Sequence, residues 1–213
     1  MNSKSKLTKQ ERDLITLTPR IESILVGLLL SDAWIVKHKG WNSRIGLKQS
    51  IIHFNFLWSV FREISIICSN FPYMCKNIKR GKLFYSFQFE TRQLNCLNKL
   101  FYLFYNTETS RIKGSNIKQI RFELFYYLDY IALAYWIMGD GSKKNKGITL
   151  CTDCFTIQEV VMLINMLIIK FEISPTIHKE NSGYRIYINK KDLNKILPYI
   201  KPYFIDSFLY KIS

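Results

Sequence analysis

Residues 25–33, Leu25-Val26-Gly27-Leu28-Leu29-Leu30-Ser31-Asp32-Ala33, and residues 133–141, Leu133-Ala134-Tyr135-Trp136-Ile137-Met138-Gly139-Asp140-Gly141, follow one pattern. Each runs apolar, then small, then carboxylate, then small. Thr18-Pro19 offers an N-cap and a first-turn proline ahead of the first stretch, and Asp129 is a candidate N-cap ahead of the second. Both therefore read as almost wholly apolar helices that end on an aspartate. The C-terminal end of a helix carries partial negative charge and disfavours a carboxylate. Something cationic should compensate, and a divalent metal would do so.

The two aspartates lie 108 residues apart, close to half of the 213-residue chain, which predicts an internal duplication. A basic turn follows each motif, Lys37-His38-Lys39-Gly40 and Lys143-Lys144-Asn145-Lys146-Gly147. A short alternating segment comes next: Arg44-Ile45-Gly46-Leu47-Lys48 and Ile148-Thr149-Leu150-Cys151. Then comes an amphipathic helix. Phe54, Leu57, Phe61 and Ile64 supply the stripe of the first, while Thr156-Ile-Gln-Glu159 is a capping box at the start of the second. Hairpin-like strand pairs follow, turning at Arg80-Gly81-Lys82 and near Asn181-Ser182-Gly183, and a helix closes each half, at about 94–105 and 191–200. The order is αββαββα, twice. The expected organisation is an N-terminal tail over 1–17, a first half over 18–105, a linker over 106–127 and a second half over 128–213.

Lys and Arg total 31 against 16 acids, giving a net charge of +15 and a field that favours a polyanionic partner. Half-buried antiparallel sheets leave one face free, and here that face is rich in Arg, Lys, Gln, Thr and Asn. Such a surface places long side chains against base edges while loop lysines meet phosphates. Other classes find little support. Five cysteines are odd in number and lack a disulfide framework, and Cys151-Thr-Asp-Cys154 is a lone CxxC read as strand and turn. The histidines form no ligand pattern, and no apolar run reaches the length of a membrane span. The first 20 residues fit neither a signal peptide nor a clean transit peptide. The chain has 29 Ile but only 3 Ala, and 22 Lys against 9 Arg, a bias that follows AT-rich coding sequence.

With these residues in place, the chain resembles the LAGLIDADG homing endonucleases in their single-chain, two-motif form. The resemblance spans roughly residues 18–213 and includes the Leu-Ala-Tyr-Trp-Ile-Met-Gly-Asp-Gly motif and the Phe155-Thr156-x-x-Glu159 helix start. It implies an α+β fold of two pseudo-symmetric αββαββα halves with saddle-shaped antiparallel sheets, the motif helices packed side by side. It implies catalytic acids at Asp32 and Asp140 and main-chain metal ligands at Ser31 and Gly139. It also implies a distal lysine in each half, matched by Lys118 and Lys211. Two carboxylates brought together repel and call for divalent cations, and hard oxygen ligands suit Mg²⁺. Tyr135, at the third motif position, makes the two halves unequal at their interface.

What the resemblance implies for activity is a metal-dependent, monomeric, sequence-specific DNA endonuclease that cuts one phosphodiester per strand across the minor groove and promotes mobility of its host intron. The alternative is an RNA maturase that assists splicing of its own group I intron. The expected compartment is the mitochondrion, or else the chloroplast. Expected DNA contacts in the first half are Lys37, Lys39, Arg44, Lys48, Gln49, Lys82, Gln88 and Arg92. In the second half they are Lys143, Lys144, Lys146, Thr149, His178, Arg185, Tyr187 and Asn189. Because the two free faces differ, the expected target is long double-stranded DNA without symmetry.

Overall fold

The computed structural model describes residues 7–79, 81–105, 118–180 and 183–213. The expected turn residues Arg80, Asn181 and Ser182, positions 106–117 of the expected linker and 1–6 of the expected tail lie outside the described residues. The chain forms two compact units, one comprising residues up to 21 together with 34–101, the other comprising 22–33 and 102–213.

Within the expected tail sits a short helix, α1 (Lys9–Asp13), opened by a capping box between Thr8 and Glu11. Helix α2 (Pro19–Leu30) starts where Thr18 Oγ1 accepts the Ile21 N–H at 3.3 Å. Strands β1 (Trp34–Val36) and β2 (Arg44–Ser50) follow, then α3 (Phe54–Ile64), β3 (Tyr73–Lys79), β4 (Lys82–Glu90) and α4 (Asn98–Phe104). The strands make an antiparallel sheet of order β1-β2-β4-β3. Helix α3 packs on β2 and β4. It buries Phe56, Leu57, Val60, Phe61 and Ile64 against Ile45, Leu47 and Phe89. Phe54, expected in that stripe, is displaced by Phe56 and instead packs its ring on Phe87 at 4.6 Å. The last helix is shorter than the apolar pattern suggests, because residues Asn95–Leu97 adopt a 3-10 turn before it.

After α5 (Leu124–Tyr127), the same order recurs: α6 (Tyr130–Asp140), β5 (Gly141–Lys144), β6 (Gly147–Leu150), α7 (Ile157–Phe171), β7 (Thr176–Glu180), β8 (Gly183–Ile188) and α8 (Lys190–Ile200). Its sheet has the order β5-β6-β8-β7. Both expected caps form: Asp129 Oδ1 accepts the Ala132 N–H at 2.8 Å, and Thr156 and Glu159 close a reciprocal box at α7. Glu159 goes further, its Oε1 accepting the Ile120 N–H at 2.8 Å and tying the segment before α5 to α7. The core joins Ile148, Leu150, Ile186 and Ile188 of the sheet to Val160, Leu163, Leu167, Leu193, Ile196 and Ile200 of the helices. All seven residues from Ala132 to Met138 of α6 are buried. Such a helix, apolar all round, belongs in the interior of a fold. The two-fold αββαββα order expected from the sequence is the observed one. Among the described residues no helix is long and apolar enough to cross a membrane.

The motif part of α2 lies in the same unit as α6, and the two helices touch backbone to backbone. A Cβ on Gly27 would stand 2.3 Å from the Ala132 carbonyl oxygen and 2.8 Å from Tyr135 Cβ. The bulk of Tyr135 is thus accommodated by the absence of a side chain at Gly27. Ser23 Oγ donates to Asp129 Oδ2 at 2.6 Å and stitches the other end of the pair. Substituting Gly27→Ala should therefore overpack this contact and cost about 1–3 kcal/mol, read as a lowered Tm. An unchanged Tm would refute the close approach.

Candidate active site

Helix α2 ends tightly, with the Ser31 and Ala33 N–H groups both donating to the Leu28 carbonyl, at 3.1 and 2.9 Å. The last carbonyls of any helix lack intrahelical partners. Here those of Leu29, Ser31 and Ala33 accept from a single ammonium, Lys118 Nζ, at 2.7, 3.4 and 2.7 Å. The end of α6 is treated in the same way. Lys211 Nζ donates to Met138 O at 2.6 Å, Gly139 O at 3.4 Å and Ile137 O at 3.5 Å. Lys211 is buried, and its ammonium also lies 4.6 Å from the Phe208 ring centroid. The cation that an acid-bearing helix end requires is therefore supplied, at each end, by a lysine.

The two carboxylates come together because the residue before Asp140 is glycine. A Cβ on Gly139 would sit 2.3 Å from Ser31 Oγ and 3.6 Å from Asp32 Oδ2. Burial, reinforced by the charge of Asp32, pushes the Asp140 carboxyl up to about 7, with Lys118 and Lys211 pulling the other way. Burial likewise holds both lysines below their ordinary range, opposed in each case by Asp32 and Asp140. Asp32, Asp140, Lys118 and Lys211, far apart in sequence, thus form one electrostatic cluster within one unit.

The loop after β6 walls this cluster. The Cys151 N–H donates to the Asp140 carbonyl at 3.2 Å, and the Cys154 thiol lies within electrostatic reach of Lys118 and Asp140. The loop is fastened to β8. Thr152, fully buried, donates from Oγ1 to Tyr184 O at 2.5 Å. Arg185 grips Asp153 with two bonds, Nε to Oδ1 at 2.9 Å and Nη2 to Oδ2 at 2.7 Å. Asp153 also raises Asp140. Sequence reasoning missed Asp153 and Cys154 as neighbours of the site; their place just beyond the second alternating segment was the only signal.

The donor set fits a small hard cation. Among the described residues no three His, Cys, Asp or Glu side chains converge so as to hold a metal ion by themselves, but Mg²⁺ is commonly held by only one or two carboxylates, with water and substrate oxygens completing its shell. A mutually repelling carboxylate pair, with Asp140 partly buried, is the arrangement such a cation relieves.

The expected contact residues occupy several environments. On the polar face of the first sheet, Arg44 pairs with Glu90 at 3.0 Å and Lys48 donates to Asn77 Oδ1 at 3.0 Å. Gln88 donates to Tyr73 OH at 3.0 Å. Gln49 falls on the opposite parity, with Ile45 and Leu47. Arg92 lies at the end of that sheet and is half-buried, Lys82 is exposed, and Lys37 and Lys39 fall in the loop between β1 and β2. In the second sheet Lys144 pairs with Glu180 at 2.5 Å, and His178 stacks on Tyr187 with ring centroids 4.8 Å apart. Lys143 and Lys146 are exposed. Thr149 is buried, its Oγ1 without a hydrogen-bond partner. Asn189 caps α8, accepting the Asp192 N–H at 3.0 Å.

Residues 22–196 match the LAGLIDADG DNA endonuclease family. The chain belongs to that family. It is 33% identical over 205 residues to the cytochrome b mRNA maturase bI2 of Saccharomyces cerevisiae, an alignment covering 92% of this chain and 48% of the yeast protein. It is 30% identical over 219 residues to probable intron-encoded endonuclease 1 of Wickerhamomyces canadensis, covering 98% of this chain and 90% of that protein. The chain thus spans about half the length of the yeast maturase and most of the length of the second relative. The solved structure of the homing endonuclease I-WcaI bound to its DNA recognition sequence matches with a TM-score of 0.87 and 27% identity, covering 100% of this chain and 95% of that one. The LAGLIDADG fold expected from the motifs is the fold observed.

Two outcomes follow from the cluster. Replacing Lys118 by Met leaves three carbonyls without their ammonium and should cost at least about 2 kcal/mol by denaturant titration; wild-type stability would contradict the cap. Asp140 keeps its proton in the folded chain up to about pH 7, whereas the unfolded chain releases it near pH 4. Ionisation of this group therefore removes stability as pH rises through that window. Without metal, the Tm of Asp140→Asn should gain on wild type between about pH 5 and about pH 8, and a pH-independent gap would refute the shift.

Proposed function

We propose that this protein is a sequence-specific double-strand DNA endonuclease that hydrolyses one phosphodiester in each strand across the minor groove, promoting mobility of its host intron. The observation that carries this reading is the meeting of Asp32 and Asp140 at two touching helix ends, each end backed by a lysine. The family membership and the similarity to a DNA-bound homing endonuclease support it. The chain acts as a monomer, because both acids and both lysines come from one chain.

Asp32 and Asp140 would hold Mg²⁺, with the Ser31 and Gly139 carbonyls as further ligands; each carbonyl has a second lone pair beyond its long 3.4 Å contact to a lysine. Bound there, a divalent ion lowers the pKa of water and stabilises charge on the attacking and leaving oxygens at phosphorus. The work of the chain itself is separate from that chemistry. Lys118 and Lys211 fix the helix ends that carry the acids and add positive field where phosphate charge grows. The Arg185–Asp153 clamp fixes the loop beside Asp140. The lysines Lys37, Lys39, Lys82, Lys143, Lys144 and Lys146 meet phosphates, while Lys48, Gln88, His178 and Tyr187 face base edges. The two sheets carry different side chains at these positions, so the target is long and asymmetric. The coding bias and the cytochrome b maturase relative favour a mitochondrial setting.

The second reading is an RNA maturase acting on its own group I intron, favoured by that same relative. Retention of both aspartates favours the nuclease, since splicing assistance requires neither. Purified protein with Mg²⁺ should cut DNA spanning the intron-free insertion site, and chelation should stop it. Asp32→Asn or Asp140→Asn should abolish double-strand cleavage while DNA affinity stays within a few-fold. Intact DNA under conditions of demonstrated binding would refute the nuclease reading, and acceleration of intron splicing by the same protein would establish the maturase one.

A further inference from the structure

A cavity of about 490 Å³ in the first unit is walled by three arginines, Arg12, Arg44 and Arg92, together with Glu90, Gln93 and Asn70. Three guanidinium groups in one cavity with one carboxylate leave it strongly positive. Two of those groups are incompletely satisfied: the Nε atoms of Arg44 and Arg92 are buried and have no hydrogen-bond partner. Buried donors are rarely left unpaired unless a ligand, ion or water completes them. Arg44 gives only its Nη1 side to Glu90, at 3.0 Å. Hydrogen bonds hold the backbone beneath. The Arg92 N–H donates to Ile67 O at 2.8 Å, and Arg12 rides on α1, whose Thr8–Glu11 capping box fixes a helix of only five residues. Nothing in the proposed catalytic cluster explains why a short capped helix should bring a third arginine to this cavity.

Fixed guanidinium forks with free N–H donors match the tetrahedral oxygens of a phosphate group. We infer that the Arg12–Arg44–Arg92 cavity is a phosphate-binding site that takes a backbone phosphate of the nucleic-acid partner, which makes α1 part of the binding surface. The inference rests on the nucleic-acid reading proposed above. It assigns Arg12 a role and makes Arg44 and Arg92 phosphate ligands, so they position the partner and read no bases.

The test is binding of a mixed-sequence DNA duplex in metal-free buffer over a salt series, with wild type, Arg12→Met, Arg92→Met and a charge control, Lys201→Met, in the other unit. Each cavity variant should bind several-fold more weakly whatever the duplex sequence and flatten the slope of log affinity on log salt by about 1. Arg92→Lys, which keeps charge but loses the fork, should recover only part of the affinity. Thermal melts establish that each variant folds, and Arg12, half-buried on an otherwise exposed helix, serves if Arg92→Met does not. A parallel titration with inorganic phosphate, followed by ³¹P line broadening, separates the two sources of the anion. Phosphate bound by wild type and lost in the variants, with unchanged duplex slopes, would overturn the assignment to nucleic acid. Unchanged slopes with no phosphate binding would overturn the site altogether. Absence of duplex binding by wild type at low salt is a different result, one that defeats the nucleic-acid reading itself.

Discussion

Two buried helices that end in carboxylates depend on two ammonium groups brought from elsewhere in the chain. Each helix end presents unpaired carbonyls and partial negative charge, and each then adds an aspartate. Lys118 satisfies three carbonyls across the end of α2, and Lys211 reaches three at the end of α6. An ammonium has three donors and no acceptor, so it suits a convergent set of carbonyl oxygens. The separations in sequence, 85 to 89 residues for Lys118 and 72 to 74 for Lys211, make these contacts tertiary staples. They hold the segment after α4 and the C-terminal segment against the motif helices. Folding of the unit and assembly of the acid pair are in this sense one event.

The two staples are unequal. Lys118 makes two short bonds that bracket Asp32, to Leu29 and Ala33, whereas Lys211 makes one short bond, to Met138, ahead of Asp140. Burial raises the pKa of Asp140, which is also flanked by Cys151 and the Asp153 loop. The helix contact is unequal too, with Gly27 on one helix facing Tyr135 on the other. A duplicated motif has therefore given two chemically distinct ends, and a single chain can hold such a difference where a symmetric homodimer cannot.

What could be read from sequence was what is local. The motif helices, the Asp129 cap, the Thr156–Glu159 box and the alternation of β2 and β6 are short-range patterns, and the structure has each of them. The unresolved part was long-range pairing. Asp32 and Asp140 announced a missing cation, and a metal was one candidate; that lysines 85 or more and 72 or more residues away fill the helix ends follows only from tertiary folding. Lys118 and Lys211 entered through family resemblance, not through any local signal. Alternation placed Thr149 and Asn189 on a free face, yet Thr149 is covered and Asn189 is committed to a helix cap. Residues in strand ends take their roles from the elements that pack over them, and no window of sequence contains those.

The polar faces show a further consequence of a strongly basic chain. Three of its sixteen acids are placed against cations useful to an anionic partner: Glu90 on Arg44, Glu180 on Lys144, Asp153 on Arg185. Any phosphate or base edge must displace those carboxylates before it gains the cation. Exposed pairs such as Lys144–Glu180 contribute little in water and exchange readily. The bidentate Arg185–Asp153 pair, less exposed and anchored by Thr152 below it, exchanges reluctantly. On the proposed nucleic-acid reading the faces therefore divide in two. Loosely held lysines supply salt-sensitive affinity, and fixed groups such as Gln88 on Tyr73 and Tyr187 on His178 present a preformed pattern. Self-pairing lowers affinity for arbitrary polyanions more than for a partner that matches the fixed groups, and that difference is the physical content of specificity.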